Sequence, residues 1–296
     1  MSGRNPSELP PARAADISFR QMHHADIAAG LQLCRMAGWD QVQRDWERFV
    51  AAENGTAHVG LMDGHLIGTV ATIRYGVEFG WIGMVLVHPD MQGRGVGAVL
   101  LDHATAQLTN VPEIRLDATP AGQLLYRKHA FIEEYSLKRM EGVPSVVNRS
   151  NPSWVRALTR ETLTDVIALD RLVFGAPRAE LLAWMYDGAP EYGFAAHQGG
   201  RVTGYVLGRH GHEFEHLGPI VAGDSAVAVE LTKACLVDHP GRAFVIDSAG
   251  DAEEWLRFLQ ETGFGEQRPY IRMHRGHGGP FGRRDQQFAI LGPEFG

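Results

Sequence analysis

The sequence is poor in cysteine, has no long apolar run and carries no excess of positive charge. Its two cysteines, Cys34 and Cys235, exclude a disulfide framework and fit a reducing compartment. No apolar run approaches the roughly 20 residues of a membrane helix, and the first residues lack the apolar core of a signal peptide. Lys and Arg number 28 against 35 Asp and Glu, a formal net charge of −7, which argues against a generic nucleic-acid or anionic-membrane partner. We therefore expect a cytoplasmic protein with neither partner.

The length and the composition indicate two globular domains. The chain has 296 residues, of which 44% are hydrophobic and 21% are charged, and domains of roughly 100–200 residues are usual. Residues 1–16 are rich in Pro, Ser and charge and predict a flexible tail. Residues 142–153 (GVPSVVNRSNPS) have the composition of a linker. The expected domains are therefore residues 17–141 and residues 154–296.

Hydrophobic periodicity and turn signals predict the same order of elements on both sides of this linker. In each half a short strand precedes two helices, a hairpin, a further strand, a glycine-containing loop, a helix, a strand, a helix and another strand. Ala130-Phe131 and Gly263-Phe264 each follow a predicted helix and open a strand that ends, at the same distance, in Met140 and Met273. We infer the duplication of one mixed α/β unit, with low sequence identity between the copies.

The strongest chemical signal lies in residues 83–98 (GMVLVHPDMQGRGVGA), where a buried strand runs into a glycine-rich loop that opens a helix. Gly93, Gly95 and Gly97 leave backbone N–H groups unobstructed, and the N-terminal end of the helix adds a positive dipole. Such a nest suits a pyrophosphate, with Arg94 adding charge at its rim. The spacing G-x-G-x-G fits neither the dinucleotide pattern nor the P-loop. Taken alone, the pattern also suits a glycine-rich turn without a ligand.

Two motifs in the first half resemble those of the GNAT superfamily of N-acetyltransferases. Gln92, Gly95 and Gly97, preceded by V-x-V-x-P at residues 85–89, resemble its acyl-CoA signature. Residues 116–131 (LDATPAGQLLYRKHAF) resemble its second signature, with Ala130-Phe131 where the family usually has Gly-Phe. The resemblance implies an α/β (α+β) fold of two tandem GNAT-like domains, each with a mixed, largely antiparallel sheet flanked by helices.

The second half resembles the family more weakly. Residues 217–224 (LGPIVAGD) stand in the place of the strand and loop, but they lack the Gln/Arg signature, and Asp224 puts negative charge where a phosphate should bind. Aligning Phe264 with Phe131 places Leu259 where the first half has Tyr126. We therefore expect a degenerate GNAT-like domain that binds CoA poorly and completes the substrate cleft or stabilises the fold.

The resemblance implies acetyl-CoA as co-substrate and no metal. The central strand would splay from its neighbour at a bulge, and the backbone of Val85, Leu86 and Val87 would hold the pantetheine arm. A backbone N–H of Leu86 or Val87 would polarise the thioester carbonyl. The pyrophosphate would lie on the loop residues Gln92, Gly93, Arg94, Gly95, Val96, Gly97 and Ala98.

Three side chains are candidates for proton transfer. The resemblance implies that Tyr126 borders the cofactor and protonates the leaving thiolate. The pKa of a phenol lies close enough to that of a thiol for this proton transfer. The attacking amine must be neutral, so a general base is expected, and Glu78 is the first candidate and Asp117 the second. The structural alternatives are a core-packed tyrosine, a solvated glutamate and an aspartate that caps a turn.

The expected function is transfer of an acetyl group from acetyl-CoA to a primary amine, by direct attack and most simply on a small molecule. A protein or peptide amine is the alternative acceptor. A non-catalytic acyl-CoA sensor, or a scaffold that dimerises, belongs to a different class. A homodimer is compatible with the sequence, which does not identify the acceptor.

Three further features are interpreted structurally. His210, His212 and His216 have a metal-like spacing but no fourth ligand, so we interpret them as surface or cleft residues. Trp39, Trp46 and Phe49 are expected in the core rather than in an acceptor pocket. Residues 288–296 are apolar for a terminal segment, and we expect them to dock as an edge strand or against the interdomain cleft.

Overall fold

A computed structural model describes residues 16–51, 55–144, 152–277, 279 and 281–296. Apart from Asp16, the predicted tail lies outside the described residues, and so does most of the predicted linker. The helices are α1 (Ile27–Met36), α2 (Gln43–Ala51), α3 (Val96–Gln107), α4 (Pro120–Lys128), α5 (Arg160–Phe174), α6 (Ala179–Gly188), α7 (Ser225–Leu236) and α8 (Glu253–Glu261). The strands are β1 (Ser18–Gln21), β2 (Gly55–Met62), β3 (His65–Tyr75), β4 (Phe79–Val87), β5 (Glu113–Ala118), β6 (Ile132–Gly142), β7 (Val155–Ala157), β8 (Phe194–Gln198), β9 (Arg201–His210), β10 (Glu215–Val221), β11 (Phe244–Ser248), β12 (Phe264–Gly276) and β13 (Gln287–Ala289).

The order of elements agrees with the sequence pattern, and the main shift concerns α2. The apolar spacing of the sequence predicts a helix over residues 39–52, but this helix begins only at Gln43. The Trp39 N–H instead donates to the carbonyl of Cys34 at 2.8 Å and closes the end of α1. The Asp45 carboxylate accepts from the Val42 N–H at 2.7 Å, which fixes the entry into α2. Trp46 and Phe49 are fully buried core residues, as predicted, whereas Trp39, which precedes the helix, is only half-buried.

The described residues form two compact units. The first comprises Met1–Arg74, described from residue 16, and Ile82–Val111. Its strand order is β1-β2-β3-β4, with antiparallel pairing of β1 with β2 and of β2 with β3. A Cβ atom at Gly68 on β3 would lie 2.6 Å from the Leu86 carbonyl oxygen on β4, so glycine permits this close approach.

The second unit comprises Tyr75–Trp81 and Pro112–Gly296. From β5 onward its strand order is β5-β12-β6-β11-β13-β10-β9-β8-β7. Pairing is antiparallel except between β10 and β11 and between β4 and β5, which pair in parallel. The mixed, largely antiparallel α/β architecture is therefore confirmed.

Two strands of this unit exchange places between the sequence repeats. β12, from the second repeat, pairs with both β5 and β6 of the first, and β6 pairs with β11 of the second. The expectation of a sheet built within each repeat did not include this exchange. Its physical basis is that β6 and β12 are equivalent strands with the same hydrophobic pattern, so each fits beside the other's neighbours.

The apolar segment at residues 288–296 docks, as expected, but not at an edge. β13 lies between β10 and β11 and pairs antiparallel with both strands. The core of this unit includes Phe288 and Ala289 together with the large side chains of Trp255 and Phe244. The segment is thus part of the sheet interior.

Candidate active site

The glycine-rich loop forms a left-handed entry into α3. Gly93 and Gly95 have φ angles of 72° and 88°, a region that other residues adopt only with strain. Gly95 is the N-cap of α3, and as a glycine it has no side chain that could cap this helix end. A Cβ atom at Gly93 would meet nothing within 4 Å, so the loop is open on that side. The first amides of α3 are therefore directed at a space that suits an anion.

Backbone and side-chain hydrogen bonds within the same unit hold the loop in place. The Gln92 amide donates to the carbonyl of Val87 at 3.2 Å, and the His88 N–H donates to the carbonyl of Ile67 at 2.9 Å. The Arg94 guanidinium donates from Nη1 to the Met91 sulfur at 3.1 Å. Its Nε atom is buried and has no hydrogen-bond partner within the described part of the chain. A buried guanidinium nitrogen that lacks an acceptor fits a bound pyrophosphate beside the loop.

β4 is irregular just ahead of this loop. Met84 has a φ of 54°, an uncommon value for a residue with a side chain. Its carbonyl accepts a hydrogen bond of 2.9 Å from the Thr69 hydroxyl, and both residues are buried. This irregularity reorients the backbone of residues 85–87, the stretch that the resemblance assigns to the pantetheine arm.

Tyr126 lies on α4 and is buried, with 8% of its surface exposed. Its ring meets Phe131 edge-on at a centroid distance of 6.0 Å. Gly122 makes room for it, because a Cβ atom there would lie 2.7 Å from the tyrosine ring. Burial raises the pKa of Tyr126 to about 12, so the phenol is protonated at neutral pH, the form that a general acid needs.

Asp117, on β5, forms a buried ion pair that the sequence did not reveal. Each of its carboxylate oxygens accepts a hydrogen bond of 2.8 Å from Arg272 on β12. The guanidinium lies over the rings of Trp81, at 4.7 Å, and Tyr135, at 5.3 Å. Burial raises the pKa of Asp117, while the guanidinium opposes that shift. The partner arrives through the strand exchange, which sets Arg272 directly opposite Asp117.

Glu78 lies in the turn between β3 and β4. Its carboxylate accepts from the Val77 N–H at 2.9 Å, and its own N–H donates to the carbonyl of Tyr75 at 3.3 Å. Gly76 has a φ of 62° and lies directly beneath the carboxylate. Glu78 therefore stabilises its own turn and is half-buried.

The structure divides the predicted site residues between the two compact units. The first unit brings together Val85–Val87 and the loop residues 92–98, while Tyr126, Asp117 and Glu78 belong to the second. Sequence reasoning missed Thr69 and Arg272, which act through contacts distant along the chain. Nothing local in the sequence marks either residue.

Two segments of the chain match models described as the acetyltransferase (GNAT) domain, at residues 45–133 and 166–289. The chain belongs to the GNAT acetyltransferases. Holothin acyltransferase from Pseudoalteromonas sp. (strain SANK 73390) is 28% identical over 259 residues, which cover 87% of each chain.

Solved structures agree on the fold of this tandem GNAT acetyltransferase. A putative acetyltransferase from Pyrococcus horikoshii has a TM-score of 0.78 at 19% identity, and the match covers 99% of this chain and 100% of that one. A tandem GNAT protein from the clavulanic acid biosynthesis pathway has a TM-score of 0.60 at 16% identity, over 89% of this chain and 99% of that one. The chain is therefore an N-acetyltransferase with two GNAT domains in tandem.

The second GNAT domain has a different loop at the corresponding place. Asp224 is the N-cap of α7, and its carboxylate accepts from the Val227 N–H at 2.9 Å. The helix end that would bind an anion is thus already occupied by a negative charge. Leu259, the counterpart of Tyr126, is fully buried in the core. This domain retains the fold but has neither the glycine N-cap nor the tyrosine of the first.

The three histidines with metal-like spacing have separate surroundings. His210 and His212 are exposed, and His210 lies 2.7 Å from the Glu215 carboxylate. His216 is buried between Arg209 and Asp247, at 2.9 Å from each. Among the described residues, no three His, Cys, Asp or Glu side chains are grouped as metal ligands would be, and no helix is long and apolar enough to cross a membrane.

Proposed function

We propose that this N-acetyltransferase uses acetyl-CoA and transfers its acetyl group to a primary amine, with the cofactor bound by the first GNAT domain. The observation that carries the proposal is the uncapped N-terminus of α3 behind Gly95, together with the buried, unpartnered Nε of Arg94. When bound, acetyl-CoA supplies an activated thioester. The pyrophosphate would be held by residues 92–98, and the pantetheine arm by the backbone of Val85–Val87.

The chain's own groups supply the remaining chemistry. A backbone N–H of Leu86 or Val87 is the proposed donor to the thioester carbonyl. Tyr126 is the proposed acid for the departing thiolate, and its raised pKa of about 12 means that the phenol is protonated at neutral pH. Glu78 remains the first candidate base. Asp117 is the weaker candidate, because both of its oxygens accept hydrogen bonds from Arg272.

A small-molecule amine is the proposed acceptor. The formal net charge of −7 favours a cationic acceptor over an anionic one. One relative, by its name, acts on holothin, and holothin therefore belongs among the acceptors to be tried. Peptides with a free N-terminus or a lysine represent the alternative acceptor class.

The test is release of free thiol from acetyl-CoA against a panel of amines, holothin and peptides. Release with one acceptor class, strongly slowed in Tyr126→Phe, is the expected result. CoA binding without turnover on any acceptor would support a sensor instead. Absence of CoA binding would contradict the proposal altogether.

A further inference from the structure

The second domain contains a gap between two parallel strands. β10 and β11 pair in parallel at Glu215 with Phe244 and at His216 with Val245. Beyond that point β10 changes its register against β9, between Leu217 and Ile220. Parallel strands that separate in this way expose backbone donors and acceptors along both inner edges.

Residues of the same chain fill this gap. Ala289 on β13 stands opposite Ile220 of β10 and opposite Ser248 of β11. The Ile290 N–H donates to the carbonyl of Asp247 at 3.0 Å, and the Ala249 N–H donates to the carbonyl of Phe288 at 3.0 Å. The segment therefore satisfies both edges, as an added strand does in peptide recognition.

Side chains on the segment add further anchors. Ile290, Leu291 and Phe295 are buried. The Glu294 carboxylate forms a buried ion pair with Arg209. Both apolar burial and a charged contact thus hold the segment in its gap.

The same segment continues to the turn that carries Glu78. The Trp81 indole donates to the carbonyl of Pro293 at 3.1 Å, and the Tyr75 hydroxyl donates to the carbonyl of Phe295 at 2.5 Å. Tyr75 and Trp81 stand on either side of Glu78 in the sequence, so the segment contacts both flanks of this turn.

We propose that residues 287–296 are a built-in strand ligand of the second domain, which fill its inter-strand gap and position the Glu78 turn. In the first domain β4 is the counterpart of β10, and its residues 85–87 are proposed to bind the pantetheine arm. In the second domain a peptide backbone takes that place, so this domain takes no cofactor. The claim that the segment positions the Glu78 turn, the positioning half, rests on the proposed function. The claim that the segment fills the gap, the strand-ligand half, does not.

The strand-ligand half is tested on the full chain with a protease site inserted after His277, which is exposed. After cleavage we expect the released C-terminal peptide to stay bound through native gel filtration. We also expect the Ile290 amide of the intact chain to exchange its hydrogen only on global unfolding. A peptide that dissociates and leaves a folded remainder with unchanged melting temperature would overturn the proposal, as would rapid exchange at Ile290.

Synthetic peptides spanning residues 281–296 provide the matched comparison. The natural peptide is expected to replace the cleaved one after partial denaturation and refolding. An Ile290→Pro peptide lacks the N–H that donates to Asp247 and is expected to bind about 10-fold more weakly or worse. A Pro293→Ala peptide retains every backbone group named above and is expected to bind like the natural one. Equal binding of all three peptides would contradict strand pairing.

The positioning half is tested with Tyr75→Phe, which removes only the hydroxyl that donates to Phe295. We expect KM for the acceptor to rise about 3- to 10-fold, with CoA affinity and melting temperature nearly unchanged. An unchanged acceptor KM would overturn this half. If no acceptor is found, the proposed function fails, while cleavage and hydrogen exchange still decide the strand ligand.

Discussion

The loops that lead into α3 and α7 occupy corresponding places in the two GNAT domains, yet their last residues have opposite effects on a bound anion. The first loop ends in Gly95, with a φ of 88° and no side-chain cap. The second ends in Asp224, whose carboxylate accepts from the Val227 N–H. A free helix N-terminus attracts an anion, and a carboxylate at the same place repels one. The residue at the helix N-terminus is therefore one feature by which two similar folds can differ in their attraction for an anion.

The largest effect is expected when the first loop is given the chemistry of the second. Gly95→Asp places a carboxylate at the α3 N-terminus, and the loss of two or more charge-assisted hydrogen bonds should weaken CoA binding by about 1000-fold. Isothermal titration with CoA measures the effect. Gly38→Asp is the matched control, because Gly38 also has a left-handed φ, of 65°, and open surroundings. It should lower stability to a similar extent and leave CoA affinity intact.

The next largest effect concerns the tyrosine that the second domain has replaced with leucine. Tyr126→Phe should lower kcat by about 100-fold, the lower range for loss of a general acid, with little change in CoA affinity. Steady-state thiol release measures kcat, and isothermal titration measures CoA affinity. Tyr186→Phe, which removes a phenol hydroxyl bonded to the carbonyl of Leu158, is the control and should retain its kcat. An undiminished kcat in Tyr126→Phe would remove this residue from the proposed mechanism.

A smaller effect is expected at the second loop. Asp224→Ala removes the α7 cap and should lower the free energy of unfolding by about 1 kcal/mol, as urea denaturation would show. CoA turnover should be unaffected if, as proposed, the second domain binds no cofactor. A second CoA site in this variant would show that Asp224 alone had blocked binding.

The smallest expected effect is a pH dependence of stability that arises at α3 and has no counterpart at α7. α3 carries His103, whose ring lies 4.6 Å from that of His58 on β2, whereas the sequence of α7 contains no histidine. Burial lowers the pKa of both histidines, and the charge of His103 lowers the pKa of His58 further. The folded state therefore favours the neutral rings. Stability should be constant above about pH 6.5 and fall as the pH drops below that value.

Urea unfolding midpoints at several pH values measure this dependence. The double variant His58→Gln, His103→Gln should show a flatter profile between neutral and mildly acidic pH. A profile identical to that of the natural chain would assign the acid sensitivity to other groups.

Local signals in the sequence predicted most of the fold and part of the site. The sequence pattern predicts a helix at Ile27–Met36 and a strand at Glu215–Val221, and α1 and β10 have these bounds. Periodicity and turn residues are local properties, so they can be read without the fold. The loop at Gly93 and Gly95 was predicted on the same basis. Tyr126 was named through the family resemblance and Glu78 because the attacking amine requires a base, and their catalytic roles are still predictions.

The contacts that the sequence did not predict all join distant parts of the chain. The strand exchange sets Arg272 opposite Asp117, and β13 lies between β10 and β11 rather than at an edge. Strand order is set by tertiary pairing, which the hydrophobic pattern of each strand leaves open. Equivalent strands with equivalent patterns are the elements for which such an exchange is hardest to predict.

The most direct test of the central claim is an equilibrium titration of the full chain with CoA, repeated with Gly95→Asp and Asp224→Ala. If the first domain alone binds the cofactor, one CoA binds per chain, binding is lost in Gly95→Asp, and it is unchanged in Asp224→Ala. Two sites per chain, or one site that survives Gly95→Asp in a folded protein, would contradict that claim.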